Sequence, residues 1–455
     1  GLRYERFSSD DRPVFNAAFT AENGIRNDAN IDGVDILQPR IGFTWDANDT
    51  TRVRGGVGVF SGGNPNVWIS NSYSNDGITN VQQRQSFDQS LFELQLTGAG
   101  RPGFDVPQAL VDAVTATTPE DAATTRLSLI DPNYEQPSEI KIALGATIEL
   151  KNDYTLEADL LYSKQRDSAI YVDLSQREIG RTAAGSPILS SVVGGDNYML
   201  TNSDEDADSL VLSFGLAKQF ENGLSANLGY AFSDAEDISG MNSSVAFSNF
   251  NNVASNDPNN LTAGISEYNT PHRVTFRLGY ERNFISDLMT RFSVYGVYKN
   301  GQGTSLSMSN AGLEDNNRGS RQLLYVPTAG DGAVVYADGF DRQGFDELIS
   351  SRSLARGQFV SRNAENARSS ARVDLRIDQD LPMIGGVKPK IFLKINNVLN
   401  MLSNEWGAQY DAPFVSEQVV ESSLNDAGQF VYENFRGANT TDTLDEFSVW
   451  QARIG

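Results

Sequence analysis

Residues 138–165 read SEIKIALGATIEL, then KND, then YTLEADLLYSKQ, and the fold turns on this stretch. In its first part Ile140, Ile142, Leu144, Ala146, Ile148 and Leu150 take one face, while Glu139, Lys141, Thr147 and Glu149 take the other. Period-2 alternation of this kind marks a β-strand with one apolar and one polar face. Each half is also as long as a tilted strand must be to cross a bilayer, roughly ten residues. Lys151-Asn152-Asp153 between the halves is turn chemistry, so the unit reads as a hairpin.

The pattern recurs along the chain. From 273 to 281, Val274, Phe276, Leu278 and Tyr280 alternate with Arg273, Thr275, Arg277 and Glu281; from 372 to 378, Val373, Leu375 and Ile377 alternate with Arg372, Asp374, Arg376 and Asp378. About twelve strands are expected, near 1-8, 37-46, 51-60, 138-150, 154-165, 208-220, 224-234, 272-283, 288-299, 368-380, 388-397 and 446-455. Alternation alone does not separate a soluble sandwich from a membrane barrel, because the pattern is the same with the faces exchanged.

The connections separate them. Tight turns at Ala47-Asn48-Asp49, Lys151-Asn152-Asp153, Glu221-Asn222-Gly223, Ile285-Ser286-Asp287 and Met383 to Gly386 alternate with long excursions, about 9-36, 61-137, 166-207, 235-271, 300-367 and 398-445. Short turns at one rim and long loops at the other belong to outer-membrane barrels. A compact soluble domain rarely carries even one structureless loop beyond about 15 residues, and six would be needed here. Aromatics gather at strand ends (Tyr154, Tyr162, Phe220, Tyr230, Phe232, Tyr280 and Phe284), which fits interfacial girdles, with core packing as the lesser alternative. The expected fold is all-β, a transmembrane antiparallel β-barrel.

Composition narrows the chemistry. With no Cys and a single His, His272, the 455 residues cannot build a thiolate nucleophile, a Cys-ligated zinc site or a His-rich metal centre. No nucleophile elbow accompanies His272, so an enzyme is not expected. A formal charge of −23 repels phosphate backbones and argues against nucleic acid as a partner. No apolar run of about 18 residues offers a transmembrane helix. The acidity concentrates in the loops: residues 61–137 carry 9 acidic and 3 basic groups, 235–271 carry 4 and none, and 398–445 carry 8 and 1.

Loops on a rigid scaffold carry specificity. Trp68, Asn71 and Tyr73 after the Gly62-Gly63-Asn64-Pro65 bend, and Trp406 with Tyr410, are candidate ligand contacts or else pack the loops against each other. Asp204, Glu205, Asp206 and Asp208 offer hard oxygens for a structural calcium or form a solvated acidic loop. Ser209 and Gly215 stand where an EF-hand needs its Gly and its bidentate Glu. The glycines around 55–63 do not open a helix and read as close packing in a strand, not as a phosphate cradle. The polar strand faces, including Glu157, Asp159, Arg273, Arg277, Arg372 and Asp374, would line a lumen, either solvating it or touching substrate.

The opening Gly1-Leu2-Arg3-Tyr4-Glu5-Arg6, the stretch Gln38-Pro39-Arg40-Ile41-Gly42-Phe43, and the run Val53 to Pro65 carry a resemblance, as do Pro271-His272-Arg273, Asp374-Leu375-Arg376-Ile377 and Asn396-Asn397-Val398-Leu399-Asn400. In this order and spacing the chain resembles the C-terminal two thirds or so of a TonB-dependent outer-membrane receptor, most like the Oar-like branch. The resemblance spans most strands and few of the loops. It implies a twenty-two-stranded barrel filled by an N-terminal plug, with TonB engaged by strand addition ahead of the plug, and outer-membrane lipid and lipopolysaccharide around it. Because Gly1 to Phe7 lies inside a strand, and the end at Gly455 stops short of the usual terminal aromatic, further residues are expected at both ends. The function implied is a gated importer of an unspecified ligand. A plug-bearing barrel used for export, adhesion or surface assembly stands beside it, and an unplugged porin third.

Overall fold

The computed structural model of the chain describes residues 1–61, 66–80, 95–101, 104–116, 127–191, 196–309, 321–439 and 441–455. Twelve strands form one antiparallel meander: β1 (Leu2–Arg6), β2 (Asp35–Asn48), β3 (Thr51–Ser61), β4 (Ser138–Leu150), β5 (Tyr154–Arg166), β6 (Ala207–Gln219), β7 (Leu224–Asp237), β8 (His272–Ile285), β9 (Leu288–Lys299), β10 (Ser370–Asp380), β11 (Lys390–Asn396) and β12 (Gln451–Ile454). Each pairs with the next in the chain, as the alternation predicts. The expected strand at 446-455 is shortened, because Asp445 and Glu446 open a helical turn over Asp445–Ser448, where acidic side chains meet the partial positive charge of the helix start.

Chain-order pairing places all five tight turns on one rim. Gly223 and Ser286 each place one left-handed residue in their turns, and two further turns place two in succession. Asn152 and Asp153 lie at φ 62° and 61°, and Gly385 and Gly386 at φ 58° and 83°, with Ile384 and Val387 exchanging two 3.0 Å backbone hydrogen bonds around them. Two consecutive left-handed residues match a primed turn, whose twist suits a hairpin. The long connections therefore share the opposite rim. The sheet is open in this chain: among the described residues β1 pairs only with β2 and β12 only with β11.

Cross-strand register keeps the two faces distinct. Ile142 stands opposite Val57 and Tyr162, and Leu144 opposite Gly55 and Leu160. Phe276 lies opposite Gly296, where its ring occupies the space a Cβ would fill. On the other face Arg54 donates to Asp159 at 2.6 Å across β4. The strand between them holds Gly145, whose missing Cβ leaves room for the pair. Further ion pairs on this face join Arg372 to Asp374, Arg376 to Asp378, and Arg291 to Asp380, at 2.7 to 2.8 Å.

The packed core lies elsewhere. Among the described residues the four clusters of buried apolar residues are built from the long connections, with Ala207 at the start of β6 joining one of them, and none of Ile140, Leu144, Phe276 and Val373 is buried; Leu144 is 50% exposed. The excursions are thus not structureless. One cluster joins 300–369 to 397–450 around Phe340, Phe345, Phe430 and Tyr432, with strand Gly303–Met308 running parallel to Ser416–Leu424. Another joins four connections around Ile69, Ile130, Tyr171, Tyr198 and Phe250. Among the described residues, the apolar face of the strands joins none of these clusters.

This asymmetry yields a test by substitution. Leu144→Arg on the apolar face is expected to cost about 2–4 kcal/mol if it sits near the middle of a bilayer, while Ser213→Arg on the polar face costs under about 1 kcal/mol. Denaturant-dependent folding into lipid vesicles measures both. Equal costs would contradict a lipid-facing apolar surface.

Candidate functional site

The sequence candidates fall into two groups. Helix Asn66–Ser74 carries Trp68, Asn71 and Tyr73; the preceding Gly62-Gly63-Asn64-Pro65 lies outside the described residues. Asn71 is buried at 6% exposure, donates to Ser244 O at 2.8 Å and accepts from Ala246 N at 3.2 Å. Trp68 Nε1 donates to Ser243 O at 3.2 Å, Tyr171 donates to Trp68 O at 3.1 Å, and the Tyr73 hydroxyl donates to Asp11 O at 2.8 Å. Together these bonds tie four connections to one another. Trp406 is 56% exposed on another connection, and Tyr410 sits 4.7 Å under the Arg368 guanidinium.

Between the groups lies a cleft of about 470 Å³. Ser243, whose carbonyl holds Trp68, and Asp411, next to Tyr410, both line it, so the sequence candidates flank the cleft without forming its wall. The wall carries two aromatics that point out of the core, Tyr268 at 62% and Phe414 at 69% exposure. Around them stand Asn242, Asn252, Gln302 and Glu267. Asn242 donates to Glu267 Oε1 at 3.0 Å and accepts from Asn252 at 3.3 Å, which fixes the orientation of the amides. Partial desolvation, and then the Glu267 carboxylate, hold the Tyr268 hydroxyl above its ordinary pKa, so it remains a donor at neutral pH.

The base of the cleft is held under tension. Asn363 and Val415, both in the wall, lie at φ 53° and 67°, a region costly for a β-branched residue in particular. Asn363 stays there because its side chain donates to Ile265 O at 2.8 Å and accepts from Ser305 at 3.0 Å. Beside it Arg362, 9% exposed, pairs with Asp237 at 3.0 Å and donates to the carbonyls of Ile238 and Gly264. Two aromatic faces flanking oriented amides suit a neutral, hydrogen-bonding ligand, gripped by stacking and read by amides. No sequence periodicity announces this wall. The only local signal is an aromatic beside turn formers, as in Asp411-Ala412-Pro413-Phe414.

The structure does not gather the acidic quartet. Glu205 accepts from Ala263 N at 3.1 Å, Asp206 pairs with Lys164 at 3.0 Å, and Asp208 accepts from Tyr162 at 2.9 Å, while Asp204 is exposed. Among the described residues no group of three or more such side chains converges as a metal site would.

One buried acid lies outside this site. Asp173 is 1% exposed and accepts from the Ser175 N–H at 2.9 Å, the Ser175 hydroxyl at 2.6 Å and the Asn197 N–H at 3.2 Å. Burial outweighs these bonds and raises its pKa.

Comparison with known proteins follows from this geometry. Residues 9–403 match the family model described as an outer membrane beta barrel domain. No curated protein matches. Among solved structures the chain is similar to the outer membrane transporter YddB from Escherichia coli, with 13% identity and a TM-score of 0.45 over 93% of this chain and 41% of that one. It is also similar to the FrpB iron transporter from Neisseria meningitidis (10%, 0.40, 88% and 38%) and the siderophore receptor PirA from Acinetobacter baumannii (9%, 0.38, 80% and 37%). The chain spans about two fifths of the length of these structures.

Two outcomes are expected. Asn71→Ala leaves the Ser244 carbonyl and the Ala246 amide unpaired, at about 1–3 kcal/mol for each buried group, and hydrogen exchange over 242–250 should accelerate accordingly. Because the folded pKa of Asp173 lies above its unfolded value, the loop cover is favoured at low pH and loses stability as pH rises from the ordinary carboxylate range through that raised value. Asp173→Asn should abolish this decline, read as exchange at Tyr198 and Leu200 across pH; an unchanged decline assigns it to another group.

Proposed function

Because this chain belongs to the outer membrane beta barrel domain family, and so lies in the bacterial outer membrane, we propose that it is the barrel portion of a receptor that captures a ligand outside the cell and takes it up. The cleft between the long connections carries this reading. Tyr268 and Phe414 supply exposed stacking faces, and Asn242, Asn252 and Gln302 supply hydrogen bonds. Trp68, Asn71 and Tyr73 hold the rim together, and Trp406 with Tyr410 extends the capture surface from its edge. The ligand class is a neutral oligosaccharide or peptide.

Uptake is gated and depends on TonB, as the resemblance of Gln38 to Phe43 and Val53 to Pro65 implies. The open edges at β1 and β12 support closure through further strands, since unpaired backbone groups in hydrocarbon cost several kcal/mol each, in order of magnitude. In a barrel of twenty-two strands the polar face lines the lumen. Glu157, Arg273 and Arg277 are among the charged groups of that face that form no ion pair among the described residues, and they are placed to meet a plug.

A second reading has its own support. The core around Phe340, Phe345 and Tyr432 gives the outer surface a folded unit of its own, as surface assembly or adhesion would use. The two readings part on a solute. Oligosaccharide and peptide arrays should yield a ligand whose binding weakens about tenfold to a hundredfold in Tyr268→Ala/Phe414→Ala, since removing buried aromatic contact is worth about 1–3 kcal/mol. Deleting TonB should leave binding intact and abolish uptake. Uptake without TonB excludes gating, and an array with no bound solute turns the assignment to assembly.

A further inference from the structure

Two cations stand on the apolar face at the short-turn rim. In register, Lys218 of β6 lies opposite Tyr154 of β5 and Ala226 of β7, on the face that carries Phe214, Leu216, Leu228 and Leu278. Its Nζ lies 4.1 Å from the Tyr154 ring and 4.6 Å from that of Phe220, the residue before the turn. Arg282 of β8 shares this face, since Tyr280 stands opposite Leu224 and Phe292. Its guanidinium reaches the Tyr280 hydroxyl at 3.5 Å and lies 6.0 Å from the Phe284 ring.

Neither cation has a carboxylate partner among the described residues, although Asp153, Glu221 and Asp287 occupy the adjoining turns. The opposite end of the same face behaves differently. There Lys164 is neutralised by Asp206 at 3.0 Å. A cation facing lipid is costly at the bilayer midplane and nearly free of cost near an interface. Long side chains escape that cost by reaching toward headgroups past an aromatic collar. Lys218 stands level with Leu278 across Ala226, and Arg282 lies four residues further toward the turn on β8, so the two positions are about 10 Å apart across the sheet and about 13 Å apart along it, two positive charges on one stretch of the short-turn rim.

We propose that this stretch binds an anionic phospholipid of the periplasmic leaflet, its phosphate held by Lys218 and Arg282 and its acyl chains lying on the apolar face over Leu216, Ala226 and Leu278. Charge complementarity selects the headgroup, and continuity with the lipid-facing surface selects a lipid over a soluble anion. The assignment is independent of the extracellular cleft and of TonB.

Protein extracted from outer membranes into nanodiscs with equal phosphatidylglycerol and phosphatidylethanolamine, then released for native mass spectrometry, tests it. The wild type should retain phosphatidylglycerol preferentially. Lys218→Gln/Arg282→Gln should reduce that preference on the order of thirty-fold, the factor matching about 1 kcal/mol for each of two cations at an anionic surface. Lys164→Gln should leave it unchanged, and Lys218→Arg/Arg282→Lys, which keeps both charges, should preserve it. No preference in the wild type overturns the proposal, as does its loss in the charge-preserving variant or displacement of the lipid by inorganic phosphate.

Discussion

Inside hydrocarbon a peptide group finds no hydrogen-bond partner except another peptide group. That constraint organises this molecule. It requires the uninterrupted ladder from β1 to β12, in which each strand takes its chain neighbour as partner. Chain-order pairing in turn assigns every tight turn to one rim and every long connection to the other. The ladder also fixes which side chains share a face, so Ile142, Leu144 and Phe276 meet lipid while Arg54, Asp159 and Arg372 do not. Even Gly145 follows from it, since the salt bridge between Arg54 and Asp159 has to pass over the strand that separates them.

Hydrophobic surface is used in two opposite ways. On the strands it is displayed, and side chains there pack mainly against cross-strand neighbours, as Phe276 does over Gly296. In the connections it is buried, as in a soluble protein, with Tyr432 fully enclosed among Phe340, Phe345 and Tyr336. Such burial, at roughly 25 cal/mol per Å², is what lets acidic loops hold a defined shape above the membrane. The cover is consequently a folded object with its own cores.

The cleft inherits its rigidity from that cover. Arg362 joins Asp237 and Gly264, and Asn363 joins Ile265 and Ser305, so segments far apart in sequence are locked at one point. The left-handed conformation at Asn363 persists because its own bonds to Ile265 and Ser305 over-determine it. Tyr268 and Phe414 are left outward because neither finds a place in a core.

The sequence by itself determined the strands, the tight turns and the orientation of the faces. Period-2 alternation is a local property, and a strand in a bilayer has little tertiary context to override it. The family resemblance was legible for the same reason, residing in strands and turns. Tertiary structure alone decided how the loops fold and what they expose. Trp68, Asn71 and Tyr73 stand out in sequence as aromatics among amides, yet whether such a group faces a ligand or a neighbouring loop depends on Ser243, Ser244 and Asp11, which no local pattern brings near. The cleft wall draws Asn242, Gln302 and Phe414 from three connections. The acidic run 204–208 looks convergent in sequence, but its carboxylates turn to Ala263, Lys164 and Tyr162, because each finds a different donor within hydrogen-bonding reach.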